Sequence, residues 1–417
     1  MNLPDVTYSA DCYRFLWKED GVDMIVDRLS EERDGLKCEL TVSTSRAPLA
    51  GLLREGRFNL SSATTRSQWE KALADRFPDF DWYAALEQVC ALTRRRWRDG
   101  EPVIDLATVE LSAELPYLIH PYMVDGGVTV FFADGGSGKS LFVLALAVSI
   151  GTGVEVLPGI MPTRHGPVLY LDWEWDESSH AERLAAICAG VGIEVPKETI
   201  FYRHEQASVI ESAATIRRRV GELGAVAVMV DSLGMARGGE PESADLTIRT
   251  FAAMRSFGVP VGAVDHIAKH ATDRTQSFGS VYTKNAARMM WRMDAVKEEG
   301  HSQISIGLAN TKANRKTQRP RGYQVDMEID DDERLSTVTF TAVDPNAVPG
   351  LTRGLPLHGR MEGILRQNGA LELQDIVMAL EAEGWQGSVA TARMTLNRHK
   401  RKFIHLDTGK WGVKWQD

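Results

Sequence analysis

The chain has 417 residues, a formal net charge of −9 and a hydrophobic fraction of 43%. This length predicts two or three domains with enough apolar mass for buried cores. The acidic balance excludes a basic footprint over the whole chain, although a local patch or a ring of loops can still bind DNA. No apolar run reaches the roughly 20 residues that a membrane span needs, so no membrane partner is expected.

The four cysteines form no CxxC pair and no cluster with histidine at zinc-ligand spacing. They are interpreted as reduced thiols, as is usual in the cytosol. The first residues of the chain have neither the basic start nor the apolar run of a signal peptide. Both features predict a cytoplasmic protein.

Residues 1–100 are predicted to form an α+β domain of unknown role. Short β-branched and aromatic runs open this region, and two segments with helical spacing of apolar residues follow them. The run Arg94, Arg95, Arg96 and Arg98 is interpreted as a solvated helix end, with a DNA contact as the alternative.

Residues 101–344 are predicted to form an α/β core, in which a mostly parallel sheet has helices on both faces. Apolar, β-branched runs alternate here with helical segments, which is typical of strands buried on both sides. The segment TKNAARMMW, residues 283–291, is assigned to one of these helices.

Residues 345–356 are rich in proline and glycine and are predicted to be a linker. Residues 357–417 show three helical segments and then a hairpin that turns at residues 407–409, which together predict a winged-helix domain. A helix of such a domain can enter the groove of duplex DNA. The alternative is a winged helix that docks on another protein. The candidate DNA contacts at the end of the third helix and on the wing are Arg398, Lys400, Arg401 and Lys410.

Residues 133–140, ADGGSGKS, fit the P-loop pattern, with Ala133 in place of its first glycine. A β-branched and aromatic strand precedes them, and an apolar helix-forming segment follows. Small residues let backbone N–H groups curl around a phosphate, and the helix start adds its positive dipole end. Lys139 is expected at the β- and γ-phosphates of ATP, and Ser140 on Mg²⁺. The predicted ATP-binding residues are Asp134, Gly135, Gly136, Ser137, Gly138, Lys139, Ser140 and Leu141.

The site also needs carboxylates. The apolar run VAVMVDS ends at Asp231, which is predicted to hold Mg²⁺ in the manner of a Walker B aspartate. Three further acids, Asp172, Glu174 and Asp176, follow another strand. One of them is expected to orient the attacking water, and spacing alone does not choose among them.

Five segments, taken in order, resemble the RecA-like hexameric ATPases, and most closely the plasmid RepA-type replicative helicases and related phage proteins. They are ADGGSGKS, VLYLDWEWDESSHAERL, VMVDSLGMARGGEPESAD, GAVDHIAKH and FGSVYTKNAARMMW. The resemblance covers roughly residues 116–341 and is more specific than the P-loop alone. It implies a RecA-like fold and a homo-oligomeric ring, a hexamer, that binds ATP between its subunits.

The resemblance also implies roles for single residues. Glu174 corresponds to the catalytic base or water-positioning glutamate of the family, and His266 to its sensor of the γ-phosphate. Asp265 stands where many relatives have another histidine or a small residue, which changes the local charge.

Three cations are implied to act on the nucleotide of the neighbouring subunit. Arg288 corresponds to an arginine on the helix after the sensor loop, and its alternative interpretation is a surface residue of an amphipathic helix. Lys312 and Arg315 correspond to the cations at a strand end of the family, with an ordinary surface position as the alternative.

In RecA-like rings, the loops after the Walker B strand and after the sensor strand face the central channel. The second of these loops carries Lys269 and Arg274, which are candidate contacts to single-stranded DNA. A mobile surface loop is the alternative interpretation.

The resulting hypothesis is an ATP-hydrolysing motor on DNA, a replicative helicase or helicase-like ATPase of a plasmid, phage or mobile element. The main alternative is a non-motor ATPase, either a recombination mediator or a DNA-bound regulatory switch. A kinase-like phosphotransferase is less favoured, because the sequence offers no evident acceptor pocket.

Overall fold

The computed structural model describes residues 3–9, 12–46, 48–100, 103–110, 117–174, 177–240, 243–267, 281–297, 302–314, 316–345 and 355–414. By its internal contacts the chain divides into two compact units. The first comprises Met1–Leu115, Glu211–Glu222 and Ser256–Gly258. The second comprises Pro116–Ile210, Leu223–Arg255 and Val259–Asp417.

The first unit contains an antiparallel sheet in which each strand pairs with the next along the chain. Its strands are β1 (Asp5–Ser9), β2 (Cys12–Trp17), β3 (Val22–Glu32), β4 (Gly35–Thr44) and β5 (Gly51–Asn59). Two helices follow, α1 (Ala63–Ala74) and α2 (Trp82–Asp99). Each begins after a side chain, Ser62 or Asp81, that accepts a hydrogen bond from a first-turn N–H group. Alternate residues of the sheet form one apolar core with both helices.

The second unit is built on a nine-stranded sheet with the order β10-β9-β11-β12-β8-β13-β14-β15-β16. Its strands are β8 (Val128–Ala133), β9 (Val168–Asp172), β10 (Ile200–His204), β11 (Ala227–Asp231), β12 (Val261–His266), β13 (Met289–Lys297), β14 (Gln303–Ala313), β15 (Arg321–Ile329) and β16 (Leu335–Val343). A small hairpin of β6 (Tyr117–Ile119) and β7 (Met123–Val124) precedes them. The strands from β10 to β13 run parallel, and β14 to β16 continue the sheet antiparallel. The predicted α/β fold with a mostly parallel sheet is confirmed.

Helices cover both faces of this sheet. The helices of this unit are α3 (Lys139–Thr152), α4 (Glu177–Gly190), α6 (Leu233–Ala236), α7 (Ala244–Arg255) and α8 (Val281–Ala286). Helix α5 (Val209–Leu223) belongs almost entirely to the first unit, which includes Glu211–Glu222. Phe131 and Ala133 of β8 belong to the core that α3 and α4 share. The alternate residues Val130 and Phe132 are buried on the opposite face, where α7 packs against β8.

Helix α3 is apolar on every side because it is enclosed. Its Phe142 contacts the rings of Tyr122 and Tyr323, at centroid distances of 5.2 Å and 6.2 Å. The antiparallel strand β15, which carries Tyr323, therefore closes over the helix that the parallel strands support. A helix without a polar face is expected in such a position.

Among the described residues, no helix combines the length and apolar character needed to cross a membrane.

The segment TKNAARMMW is only partly helical, so its prediction is wrong in its second half. Helix α8 ends at Ala286, and β13 starts at Met289. Between them, the N–H group of Arg288 donates to the carbonyl of Val128 at 2.8 Å and docks the chain beside β8. Because β13 is buried on both faces, its apolar run carries no strand period, and pattern alone does not separate it from a helix.

The last part of the second unit contains α9 (Leu357–Asn368), α10 (Leu373–Ala382), α11 (Val389–Arg398), β17 (Phe403–His405) and β18 (Trp411–Val413). The three helices and the hairpin share an apolar core of their own. Gly409 has φ +82° in the hairpin turn, where a residue with a side chain would be strained. These elements follow the predicted order, and the winged-helix assignment stays a prediction.

Candidate nucleotide-binding site

The carboxyl ends of four parallel strands meet at one edge of the nine-stranded sheet. Ala133 of β8 lies opposite His266 of β12, and Asp231 of β11 lies opposite Asp172 of β9. Because these strands share one direction, the segments that leave them begin side by side. Ligands of open α/β sheets bind outside this edge.

Residues 134–138 turn the chain from β8 into α3. Gly136 and Gly138 have φ values of +71° and +80°, in the left-handed region that favours glycine. The hydroxyl of Ser137 donates to the carbonyl of Asp134 at 2.8 Å and closes the turn. Gly138 supplies no side-chain cap to α3, so the first N–H groups of the helix remain directed at the loop. This geometry suits a phosphate group.

Lys139 is the first residue of α3, and its side chain lies inside the loop. Its Nζ donates to the carbonyl oxygen of Asp134 at 2.8 Å. Burial lowers the pKa of Lys139, and the nearby carboxylates of Asp231 and Glu174 oppose that shift. The side chain of Leu141 packs against the core, and its backbone N–H group lies in the first turn of α3. The ammonium is therefore held where the P-loop pattern places it.

Asp231 lies beneath the loop at the end of β11 and is almost completely buried. Its carboxylate accepts hydrogen bonds from the hydroxyl of Tyr170, at 2.8 Å, and from that of Ser140. Burial raises the pKa of Asp231, and these two hydrogen bonds oppose the shift. Hydroxyl and carboxylate oxygens are hard donors of the kind that Mg²⁺ prefers. Ser140 and Asp231 therefore fit the predicted metal site.

Glu174 lies two residues past the end of β9. Its carboxylate accepts a hydrogen bond from the hydroxyl of Ser232 and lies 3.6 Å from Nε2 of His266. The interaction with His266 lowers the pKa of Glu174, and the bond from Ser232 adds to that effect, so the charged form is favoured. The structure thus brings the predicted water-positioning residue and the predicted sensor together. Asp176 lies outside the described residues.

Asp172, the other alternative from the sequence, has a different environment. It is fully buried and accepts hydrogen bonds from the backbone N–H of Glu174 at 3.0 Å, from His180 at 3.0 Å and from the hydroxyl of Tyr202 at 3.1 Å. Its carboxylate is occupied by these contacts within the protein. Neither His180 nor Tyr202 was identified from the sequence. The sequence signal for such a cluster was that a tyrosine and an aspartate, Tyr170 and Asp172, stand at alternate positions of a buried strand.

Asp265 forms a buried ion pair with Arg237, and neither side chain is exposed to solvent. Nη2 of Arg237 lies 3.4 Å from Asp265 and donates to the hydroxyl of Thr283 on α8 at 3.0 Å. Burial raises the pKa of Asp265 to about 6, and Arg237 opposes the shift. Oδ1 of Asp265 also accepts the N–H group of His266 at 3.0 Å. The pair therefore ties the end of β12 to α8 and to the segment after α6.

We expect Arg237→Met to lower the free energy of unfolding by about 3 kcal/mol at pH 8, because it leaves the Asp265 carboxylate buried and unpaired. The loss should be smaller at pH 5. Without the guanidinium the pKa of Asp265 rises above about 6, so at pH 5 the carboxyl is protonated and no charge is stranded. Urea unfolding at both pH values measures this difference. The double variant with Asp265→Asn should recover part of the loss at pH 8, and equal losses at both pH values would contradict the assignment.

Arg288 and Lys312 lie together at the opposite edge of the sheet. Arg288 follows α8 rather than lying on it as predicted, and a Cβ built at Gly127 would lie 2.6 Å from its Cγ. Nζ of Lys312 donates to the carbonyl of Asn285 at 3.0 Å, near the end of α8. Burial lowers the pKa of Lys312, and the charge of Arg288 adds to that effect. Both cations therefore lie near the amino end of β8, away from the P-loop of their own chain.

Three of the predicted contacts lie in parts of the chain that the structure does not describe. Those that fall outside the described residues are Arg315, Lys269 and Arg274.

The predicted DNA contacts near the C-terminus are all exposed. Arg398 ends α11, whereas Lys400 and Arg401 lie in the turn after the helix and not in the helix itself. Lys410 precedes β18 in the hairpin. Arg398, Lys400 and Arg401 therefore lie before β17, whereas Lys410 lies at the turn, at the other end of the two short strands.

A family model matches the stretch of the chain that holds the candidate site. Residues 98–272 match the sequence model of the AAA domain family, a stretch that includes the P-loop, Glu174, Asp231 and His266. Together with the sheet and the P-loop, this match supports a P-loop ATPase domain. The crystal structure of a KaiC-like protein from the hyperthermophilic archaeon Pyrococcus horikoshii OT3 is similar, with 15% sequence identity and a TM-score of 0.37. That alignment covers 54% of this chain and 93% of the archaeal one.

Proposed function

We propose that this protein is an ATP-hydrolysing motor that forms a ring, a hexamer, and acts on single-stranded DNA. It would serve as a replicative helicase or helicase-like ATPase of a plasmid, phage or mobile element. One observation carries the proposal. The residues suited to bind ATP lie at the carboxyl ends of the parallel strands. Two of the cations expected at the nucleotide, Arg288 and Lys312, lie at the amino end of β8.

The distance between the two ends of the parallel strands supports a nucleotide site that two subunits share. At about 3.3 Å per residue, the six residues of β8 place its two ends roughly 17 Å apart. An arginine side chain at the amino end does not span that distance to its own P-loop. In a ring that sets this edge against the next subunit's nucleotide, Arg288 would neutralise charge on the transferring phosphoryl group.

Each side chain at the carboxyl edge has a role in this proposal. Lys139 and the N–H groups of residues 134–141 hold the phosphates, and Ser140 and Asp231 hold Mg²⁺. When bound there, the metal would supply positive charge that offsets the charge developing on the phosphates. Glu174 orients the attacking water and takes its proton. His266, beside the Glu174 carboxylate, links the presence of the γ-phosphate to the part of the chain that follows β12.

The proposal assigns a role to most regions of the chain. Residues 101–344 form the motor core, 345–356 a linker and 357–417 a winged-helix domain, whereas the role of residues 1–100 is left open. Lys269 and Arg274, which follow β12 in the sequence, would contact single-stranded DNA through its phosphates. The exposed cations near the C-terminus suit a duplex contact.

Those C-terminal cations also favour a second candidate, a non-motor ATPase that acts as a DNA-bound regulatory switch or a recombination mediator. It would use the same ATP site. Unwinding of a forked duplex separates the candidates, because only the motor converts hydrolysis into strand separation.

Steady-state ATP hydrolysis with and without single-stranded DNA tests the proposal, with light scattering on the same samples. We expect a ring-sized species whose turnover rises several-fold with DNA, and we expect Lys139→Ala to abolish that turnover because it removes the phosphate-binding ammonium. Turnover that does not change when DNA is added, or a monomer with ATP bound, would contradict the motor hypothesis and favour the regulatory switch.

A further inference from the structure

We propose that a largely buried polar cluster next to the nucleotide site positions both of its carboxylates, Asp231 and Glu174. The inference rests on the proposed ATPase function and deepens it. The cluster lies on strands β9 and β10 and helix α4, below the residues that meet the nucleotide. Its members are Tyr170, Asp172, His180 and Tyr202.

One branch of the cluster holds the metal-binding carboxylate. Tyr170 is buried on β9, directly beside β11, and its hydroxyl donates to Oδ2 of Asp231 at 2.8 Å. A hydrogen bond to one carboxylate oxygen fixes the rotation of the group. Asp231 is thereby held in the orientation that meets Ser140.

The other branch holds the water-positioning residue through its backbone. Oδ2 of Asp172 accepts hydrogen bonds from Nε2 of His180 and from the hydroxyl of Tyr202, and its Oδ1 accepts the N–H group of Glu174. This last bond fixes the chain just after β9 ends. With its backbone fixed, Glu174 directs its carboxylate to Ser232 and His266.

The rings of the cluster join the two branches. The ring of His180 lies 4.9 Å from that of Tyr170 and 5.1 Å from that of Tyr202, measured between centroids. A buried carboxylate such as Asp172 is costly unless several donors satisfy it. Apolar side chains at these positions would fill the same space without that cost. The presence of polar side chains at these positions is explained if the cluster orients the two carboxylates.

Two variants separate the branches. We expect Tyr170→Phe to raise the Mg²⁺ concentration for half-maximal hydrolysis about tenfold, the usual effect of losing a partner of a metal ligand. We expect His180→Leu to lower kcat about tenfold without changing KM, because it frees Glu174 and leaves ATP binding intact. His180→Gln, which keeps a donor near the Nε2 position, should restore much of the rate.

Tyr323→Phe is the matched control. The Tyr323 hydroxyl is buried in the same unit and lies 2.6 Å from that of Tyr122, so its removal also deletes a buried hydrogen bond without touching the cluster. This variant should keep the wild-type Mg²⁺ requirement and kcat. Wild-type Mg²⁺ dependence in folded Tyr170→Phe together with wild-type kcat in folded His180→Leu would overturn the proposal. If His180→Leu does not fold, Tyr202→Phe tests the same branch, and an unchanged kcat there would count against it.

The design separates this inference from the function on which it rests. A wild-type protein that binds ATP and Mg²⁺ but does not hydrolyse ATP would overturn the proposed function. The cluster would then be tested by the Mg²⁺ dependence of binding a fluorescent ATP analogue. An unchanged dependence in Tyr170→Phe would overturn the first branch.

Discussion

Glu174→Gln is expected to lower kcat for ATP hydrolysis about 10³-fold and to leave the affinity for ATP close to that of the wild type. The amide keeps the shape of the carboxylate and still accepts the hydrogen bond from Ser232. It cannot take a proton from water, and a positioned general base contributes on this order to the rate. Binding depends on the P-loop and the metal ligands, which the change leaves in place.

Single-turnover hydrolysis and titration of a fluorescent ATP analogue measure the two effects separately. Glu177→Gln is a suitable control, because Glu177 is an exposed acid only three residues further along the chain. It should leave both quantities unchanged. A Glu174→Gln protein that retains wild-type turnover, beside an inactive Asp176→Asn protein, would assign the role to Asp176.

The strand, loop and helix around residues 134–138 are predictable from the sequence because their determinants are local. A buried strand, a run of small residues and the start of an apolar helix follow one another within residues 128–152, and each acts on its own neighbours. Asp231 is equally predictable, since a carboxylate at the end of an apolar strand lies at the carboxyl edge of a parallel sheet.

The support of these residues is not local, and the sequence did not predict it. His180 comes from α4 and Tyr202 from β10, and both meet Asp172 only after three elements have packed. The same holds for Arg237, which finds its partner Asp265 from a separate segment. Such contacts depend on strand order and register, which a periodic pattern does not encode.

The position of Arg288 shows a second limit of predicting structure from the periodicity of apolar residues. The run that starts at Met289 is apolar enough to suit a helix, yet it forms β13, and the N–H group of Arg288 just before it donates to the carbonyl of Val128. The correction matters for function. It moves Arg288 from a helix surface to the amino end of a strand beside β8.

From that position, Arg288→Ala is expected to lower kcat about 10³-fold, the low end of the effect of removing an arginine that stabilises phosphoryl transfer. ATP binding should stay near the wild-type value, because the P-loop of the same chain is untouched. Hydrolysis and binding of a fluorescent ATP analogue provide the two measurements. Arg249→Ala, which removes a largely exposed arginine on α7, is the control and should change neither.

Mixing two inactive proteins then tests whether Arg288 acts across a subunit boundary. Arg288→Ala has an intact P-loop, and Lys139→Ala has an intact arginine. In a mixed ring, some intact P-loops face an intact arginine, so part of the turnover should return once subunits have exchanged. Exchange itself is checked by co-purification through a tag on one variant. Mixed oligomers without any recovery, or a loss of ATP binding in Arg288→Ala alone, would contradict action in trans. Recovery would support the placement of the nucleotide between the carboxyl edge of one subunit and the amino edge of the next.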